Sequence, residues 1–175
     1  MLFNVHASYV LLASGGGFCY PNEKTRSAGN NHRLILIAGG VGINPIVSIM
    51  REIDRASYTP QKVSLLYSAK SREELIFRDD IDDICERRAE TFTANYFVTG
   101  DDKRAEEGET KVICSRIDAG HLARALALSD DDGITTRESG TFCYICGPNS
   151  LTEDSVAALT SLGVPKENVF YELWW

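Results

Sequence analysis

Residues 34–45 read Leu34-Ile35-Leu36-Ile37-Ala38-Gly39-Gly40-Val41-Gly42-Ile43-Asn44-Pro45, and this stretch decides the fold. Its first five residues form a continuous apolar run bounded by glycine, the pattern of a strand buried on both faces. From residue 45 to 56, Ile46, Ile49, Met50 and Ile53 fall at helical spacing. Between the two lies Gly40-x-Gly42, so a strand ends, turns on glycine and opens a helix. Glycines at such a junction let the backbone turn sharply and approach a pyrophosphate. The helix N-terminus adds free N–H groups and the positive end of its dipole. Gly39, Gly40, Val41, Gly42, Ile43, Asn44 and Pro45 are therefore the candidate phosphate loop. Asn44 is expected as the N-cap, with Pro45 at the first helical position. Pro45 stands where the common dinucleotide fingerprint has its third glycine, which points away from the dehydrogenase Rossmann domains. A tight strand-to-helix turn that holds no ligand is the competing reading.

Working outward, strands are expected at 63–67, at 92–98 (closed by Thr99-Gly100), at 141–146 and at 169–172. Helices are expected at 78–88, 119–128 and 150–162, where apolar residues recur on one face. Strand and helix alternating at this spacing imply an α/β fold: a five-stranded parallel sheet with helices on both faces. Residues 14–32, rich in Gly, Ser, Asn and Pro, read as turn and linker. The chain thus divides into residues 1–31 and a nucleotide-binding domain from 32 to 175. The acidic stretches 101–109 and 130–133 are expected to be loops.

The chain has 175 residues and a formal net charge of −7, and its basic residues are scattered, which argues against a nucleic-acid partner. Five cysteines without framework spacing imply free thiols in a reducing, intracellular compartment. No apolar run approaches the roughly 20 residues that a transmembrane helix needs. His6, His32 and His121 show no metal-ligand spacing, and no nucleophile elbow is present, so neither a metal site nor a hydrolase is expected.

Gly40-x-Gly42-x-x-Pro45 resembles the pyrophosphate loop of the ferredoxin–NADP⁺ reductase superfamily. Cys146-Gly147-Pro148 is similar to that family's Cys-Gly-Pro loop, and Glu172 followed by Leu173-Trp174-Trp175 to its Glu-x-aromatic ending. Tyr67-Ser68-Ala69-Lys70 with Leu75-Ile76-Phe77-Arg78 resembles its adenosine-side segment, and Ser115-Arg116-Ile117 its Gly-Arg-Ile element. The resemblance implies the pyridine-nucleotide half of a flavin oxidoreductase that passes hydride from NAD(P)H to FAD. It implies further that residues 1–31 hold the last strand of a flavin domain plus a linker. FAD is then expected only together with a flavin domain, and a flavin-domain or electron-acceptor protein is the expected partner. It also implies a mitochondrial location. A nucleotide-binding module without turnover, such as a truncated isoform, and an interaction domain that has lost its ligand are the alternatives.

By this resemblance Cys146 packs against the nicotinamide and is catalytic together with Glu172, which relays a proton or holds the ring in place. Gly147 and Pro148 carry the nicotinamide, Arg116 adds a contact, and Trp174 and Trp175 cover the flavin ring. An acidic residue after the second strand would favour NAD by binding the ribose 2′-hydroxyl. Ser68, Lys70 and Arg72 stand there instead and suit a 2′-phosphate, although a solvated loop is the other reading. Cys143 and Cys146 also form Cys-x-x-Cys. Residues three apart on a strand face opposite ways, which opposes a dithiol or zinc pair.

Overall fold

The run that begins at Arg33 is buried at every position to Gly39, as a strand covered on both faces must be. In the computed structural model, which describes residues 18–56, 60–100, 112–127 and 140–174, this strand is β1 (Arg33–Gly39). The other strands are β2 (Lys62–Ala69), β3 (Phe92–Val98), β4 (Val112–Ile113), β5 (Thr141–Pro148) and β6 (Val169–Trp174). All pair in parallel, in the order β4-β3-β2-β1-β5-β6. The expected five strands are six. β4 is two residues long, too short to show any alternation, and is made a strand by pairing Val112 and Ile113 with Tyr96 and Phe97.

Helices cover both faces, as expected: α2 (Ile43–Arg55), α3 (Arg78–Arg87), α4 (Ala119–Ala127) and α5 (Asn149–Ser161). Alternate strand residues sort into two cores. Leu34, Leu36, Val63, Leu65, Tyr67, Tyr144 and Cys146 pack with Ile46, Met50 and Ile53 of α2 and Ile81 and Ile84 of α3. Ile35, Ile37, Leu66, Cys143 and Ile145 pack with Leu122 and Ala125 of α4 and Leu159 of α5. Cys143 and Cys146 therefore lie on opposite sides of the sheet, both fully buried, and burial raises the Cys143 thiol far above its ordinary pKa. None of the five cysteines is in a disulfide, and no cluster among the described residues could hold a metal ion. No described helix is long and apolar enough to cross a membrane.

Residues 18–32 are more ordered than a turn-rich linker. They include α1 (Glu23–Ser27), closed by a reciprocal cap in which the Asn22 side chain accepts from the Thr25 N–H and Thr25 Oγ1 accepts from the Asn22 N–H, both at 2.9 Å. Phe18 and Tyr20 stand edge-on to Tyr144 of β5, with ring centroids 5.5 and 6.0 Å away. The Tyr144 hydroxyl accepts from Asn22 Nδ2 (2.7 Å) and donates to the Cys19 carbonyl (3.0 Å), pinning the segment to the sheet. The expected strand before residue 18, the loops 101–109 and 130–133, Leu128 and Trp175 lie outside the described residues.

Candidate functional site

The strand order reverses between β1 and β5: the chain steps outward from β1 through β2 and β3 to β4, then returns to the other side of β1. Ligands of open parallel sheets bind outside the carboxyl ends of the strands at such a point. Two helices begin there, α2 after β1 and α5 after β5. Neither has a side-chain hydrogen bond capping its N-terminus, since the cap positions are Gly42 and Pro148. With no side-chain cap on either helix, the positive ends of their two dipoles make this an anion-attracting corner.

Glycine brings the two turns together. A Cβ on Gly42 would lie 2.1 Å from the Cys146 carbonyl oxygen, and one on Gly147 would lie 3.0 Å from the Gly39 nitrogen. Gly40 differs: its φ of +53° is left-handed, and nothing lies within 4 Å of where its Cβ would be. That open space in front of Gly40 leaves the backbone accessible to a ligand.

The turn also shifts the start of α2. Gly40–Gly42 is already a 3₁₀ turn, so α2 begins at Ile43, two residues earlier than expected. Asn44 is therefore inside the helix rather than its N-cap, and its side chain donates to the Val41 carbonyl at 2.7 Å. Pro45 is the third helical residue, where its missing N–H is still harmless.

A cleft of about 340 Å³ runs along this edge. It is lined by Gly39 and Gly40 of the turn, Ser68 and Lys70 at the end of β2, Arg116 before α4, and Pro148 at the end of β5, all six of them residues singled out by the sequence. Val41 stands exposed beside the turn, whereas Ile43 and Pro45 are buried in the core beneath it. Arg72 does not line the cleft. It lies next to Glu73, whose carboxyl is held below its ordinary pKa first by a hydrogen bond from Ser71 and in part by the Arg72 charge.

Cys146 is 0% exposed, and the sheet register places it opposite Glu172 on β6. Glu172 is partly buried, which raises its carboxyl pKa above the ordinary value. Trp174 ends β6 in register with Pro148.

The cleft also holds Ile117 of the Gly-Arg-Ile-like element, and residues that sequence reasoning passed over as site residues: Glu74, Thr99, Ser150, Leu151 and Asp154. Thr99 directly follows β3, a position that the strand-end rule could have flagged. At the β2 end the lining includes an acidic residue, Glu74. Its place is fixed from a distance: buried Tyr67 donates its hydroxyl to the Glu74 carbonyl at 3.0 Å. Burial pushes the Tyr67 hydroxyl pKa up to about 12, so it remains a donor at neutral pH.

Comparison with known proteins agrees with this architecture. Residues 36–157 match the family model described as the oxidoreductase NAD-binding domain. Oxidoreductase NAD-binding domain-containing protein 1 of Danio rerio is 34% identical over 176 aligned residues, which cover 96% of this chain and 60% of that protein. The chain thus spans little more than half the length of such relatives. The cytochrome b5 reductase domain of Ulva prolifera nitrate reductase superposes with a TM-score of 0.65 at 21% identity, covering 80% of this chain and 49% of that one. The ferredoxin-NADP+ reductase of Plasmodium falciparum superposes with a TM-score of 0.62 at 16% identity, covering 91% of this chain and 59% of that one. Fold, glycine turn and family model agree, and the chain belongs to the oxidoreductase NAD-binding domain family, with the fold of the ferredoxin–NADP⁺ reductases.

Proposed function

We propose that this domain binds NAD(P)H along the carboxyl edge of its sheet and presents the nicotinamide to a flavin. The observation that carries the reading is the corner between β1 and β5, where two helix N-termini without side-chain caps meet beside the open, left-handed Gly40. A pyrophosphate fits this corner: backbone N–H groups can approach it closely at Gly40, and Lys70 and Arg116 in the same cleft offset its charge. With the pyrophosphate there, the adenosine extends toward Ser68 and Lys70, and the nicotinamide toward Pro148 and the end of β5. The bound nucleotide supplies the hydride, and the protein supplies position. Gly147 lets β5 pass close to the glycine turn, and Glu172, its carboxyl pKa raised by burial, is placed to hold or exchange a proton near that end of the sheet.

The full burial of Cys146 favours a second reading, a module that binds nucleotide without turnover, because a thiol inside the core does not meet a nicotinamide in this arrangement. The two readings separate in a fusion of this chain behind the flavin-binding portion of a relative, followed by stopped-flow measurement of flavin bleaching. Hydride transfer predicts rapid bleaching by NAD(P)H, slowed by Glu172→Gln, and negligible dye reduction by the 175-residue chain alone, since no side chain accepts a hydride. A fusion that binds nucleotide while its flavin stays oxidised would establish the second reading.

A further inference from the structure

We propose that the groove between α5 and β6 is a second binding site, for a medium-chain apolar acid that carries a further oxygen at its far end. The groove encloses about 560 Å³, within the range of small-molecule sites, and its lining shares no residue with the nucleotide cleft. β6 is the last strand of the sheet, and no described strand lies beyond it. Tyr171 and Leu173, two residues apart on β6, share the face toward the groove and stand 48% and 50% exposed. Val156 and Ala157 of α5 complete an apolar middle. Phe170, on the other face, stacks on Tyr144 at 4.9 Å, so β6 is anchored on one side and open on the other.

The polar groups of the groove define its occupant. Thr152 is 1% exposed and lines the groove, yet its Oγ1 has no hydrogen-bond partner among the described residues. Buried hydroxyls are normally paired, and a helical threonine or serine can bond back to its own helix. Thr160 and Ser161 do so, donating to the Val156 and Ala157 carbonyls at 2.8 and 2.9 Å. Thr152 does not, and its donor is left for a ligand. α5 begins at the carboxyl edge of the sheet and runs back beside β6. Thr152 and Leu173 therefore mark one end of the groove, and Ser161 with Lys166, which precedes β6, the other. From Thr152 to Ser161 the helix rises about 13.5 Å. The charges of the lining are Glu153 and Lys166, both exposed. Glu153 adjoins Thr152 and repels an acid at that end, while Lys166 attracts one at the opposite end. A carboxylate at Lys166, a chain across Val156, Tyr171 and Leu173, and a hydroxyl or carbonyl oxygen at Thr152 satisfy all of these groups.

The test is calorimetric titration of the purified chain with decanoate and with ω-hydroxydecanoate, for wild type, Thr152→Val, Lys166→Gln and Ala157→Phe. Thr152→Val keeps the side-chain shape, and Lys166 and Ala157 are exposed, so each variant should fold, which circular dichroism checks. Wild type is expected to bind ω-hydroxydecanoate about threefold to tenfold more tightly than decanoate, the scale of one hydrogen bond. Thr152→Val should erase that difference and leave decanoate binding unchanged. It should not lower the melting temperature, since it removes a buried hydroxyl that has no partner. Lys166→Gln should weaken both acids, and Ala157→Phe, which puts a ring in the groove, should abolish both. Equal binding of the two acids by wild type, a preference that survives Thr152→Val, or binding that survives Ala157→Phe would overturn the inference. Folded wild type that binds neither acid would overturn it as well, and if that protein sediments as a dimer that Ala157→Phe dissociates, the groove belongs to a second copy of the chain.

Discussion

Replacing Gly42 with alanine should destabilise the domain more than the same change at Gly40, although Gly40 is the residue with the unusual backbone. Gly42 has φ −62° and ψ −7°, which any residue adopts, so an added methyl group meets no backbone strain. It meets atoms instead: the Cys146 carbonyl oxygen at 2.1 Å, its carbon at 2.5 Å and the Gly147 nitrogen at 2.9 Å. All three are backbone, and they belong to a strand paired with β1 on one side and β6 on the other, so they yield only if the sheet shifts. The cost should reach the upper end for overpacking, about 3 kcal/mol or more. At Gly40 nothing lies within 4 Å, and the cost is the left-handed φ alone, about 1–2 kcal/mol. For a chain of this size these costs correspond to a fall in Tm of roughly 6–12 °C for Gly42→Ala and roughly 2–8 °C for Gly40→Ala. Urea unfolding of both variants, with the slope checked for constancy, gives the two values directly. The reasoning fails if Gly42→Ala is as stable as Gly40→Ala or more so.

Two further outcomes follow from the packing of residues 18–32. Tyr144→Phe should cost about 1–3 kcal/mol, because it strands the Cys19 carbonyl and the Asn22 amide together, and it should speed proteolysis near residues 18–22; an unchanged cleavage rate would mean that the hydroxyl does not hold the segment. His32 is 0% exposed, and burial, partly offset by its 2.7 Å hydrogen bond to the Gly29 carbonyl, lowers its pKa below 6.5. The unfolded chain therefore binds the proton more readily, so stability should decline as pH falls through 6.5, and His32→Gln should flatten that part of the profile in urea titrations. A profile identical in wild type and variant would rule His32 out as its source.

The parallel sheet and the glycine turn were legible because their signals are local: a continuous apolar run, a glycine pair and the spacing of Ile46, Ile49, Met50 and Ile53. What escaped depends on partners distant in sequence or on elements too short to carry a period. β4 exists only through its pairing with β3, and α1 is five residues long, with threonine where a capping box usually has glutamate or glutamine. The start of α2 was misplaced because the glycine turn is itself helical in form, so the cap moved back to Gly42. Within the site, Ser68 and Lys70 could be read from their position at the end of β2, whereas Arg116 and Pro148 were legible through the family resemblance. Glu74 could not, since a hydroxyl on a buried tyrosine seven residues earlier decides where its backbone lies. Gly42 and Gly147 were visible as glycines, but the backbone each one meets was not.

The central claim is that the β1–β5 corner binds a pyridine dinucleotide, and titration calorimetry of the folded chain with NADH tests it most directly, with Gly40→Asp as the control. Gly40→Asp adds a carboxylate where the structure has open space and where aspartate tolerates a positive φ, so the variant should fold yet repel the pyrophosphate. Wild type is expected to bind one NADH with a dissociation constant between about 1 μM and 1 mM, and to melt at a higher temperature when NADH is present. The variant should show neither effect. Folded wild type that gives no heat and no thermal shift with NADH or NADPH, or a Gly40→Asp variant that binds as tightly as wild type, would contradict the claim.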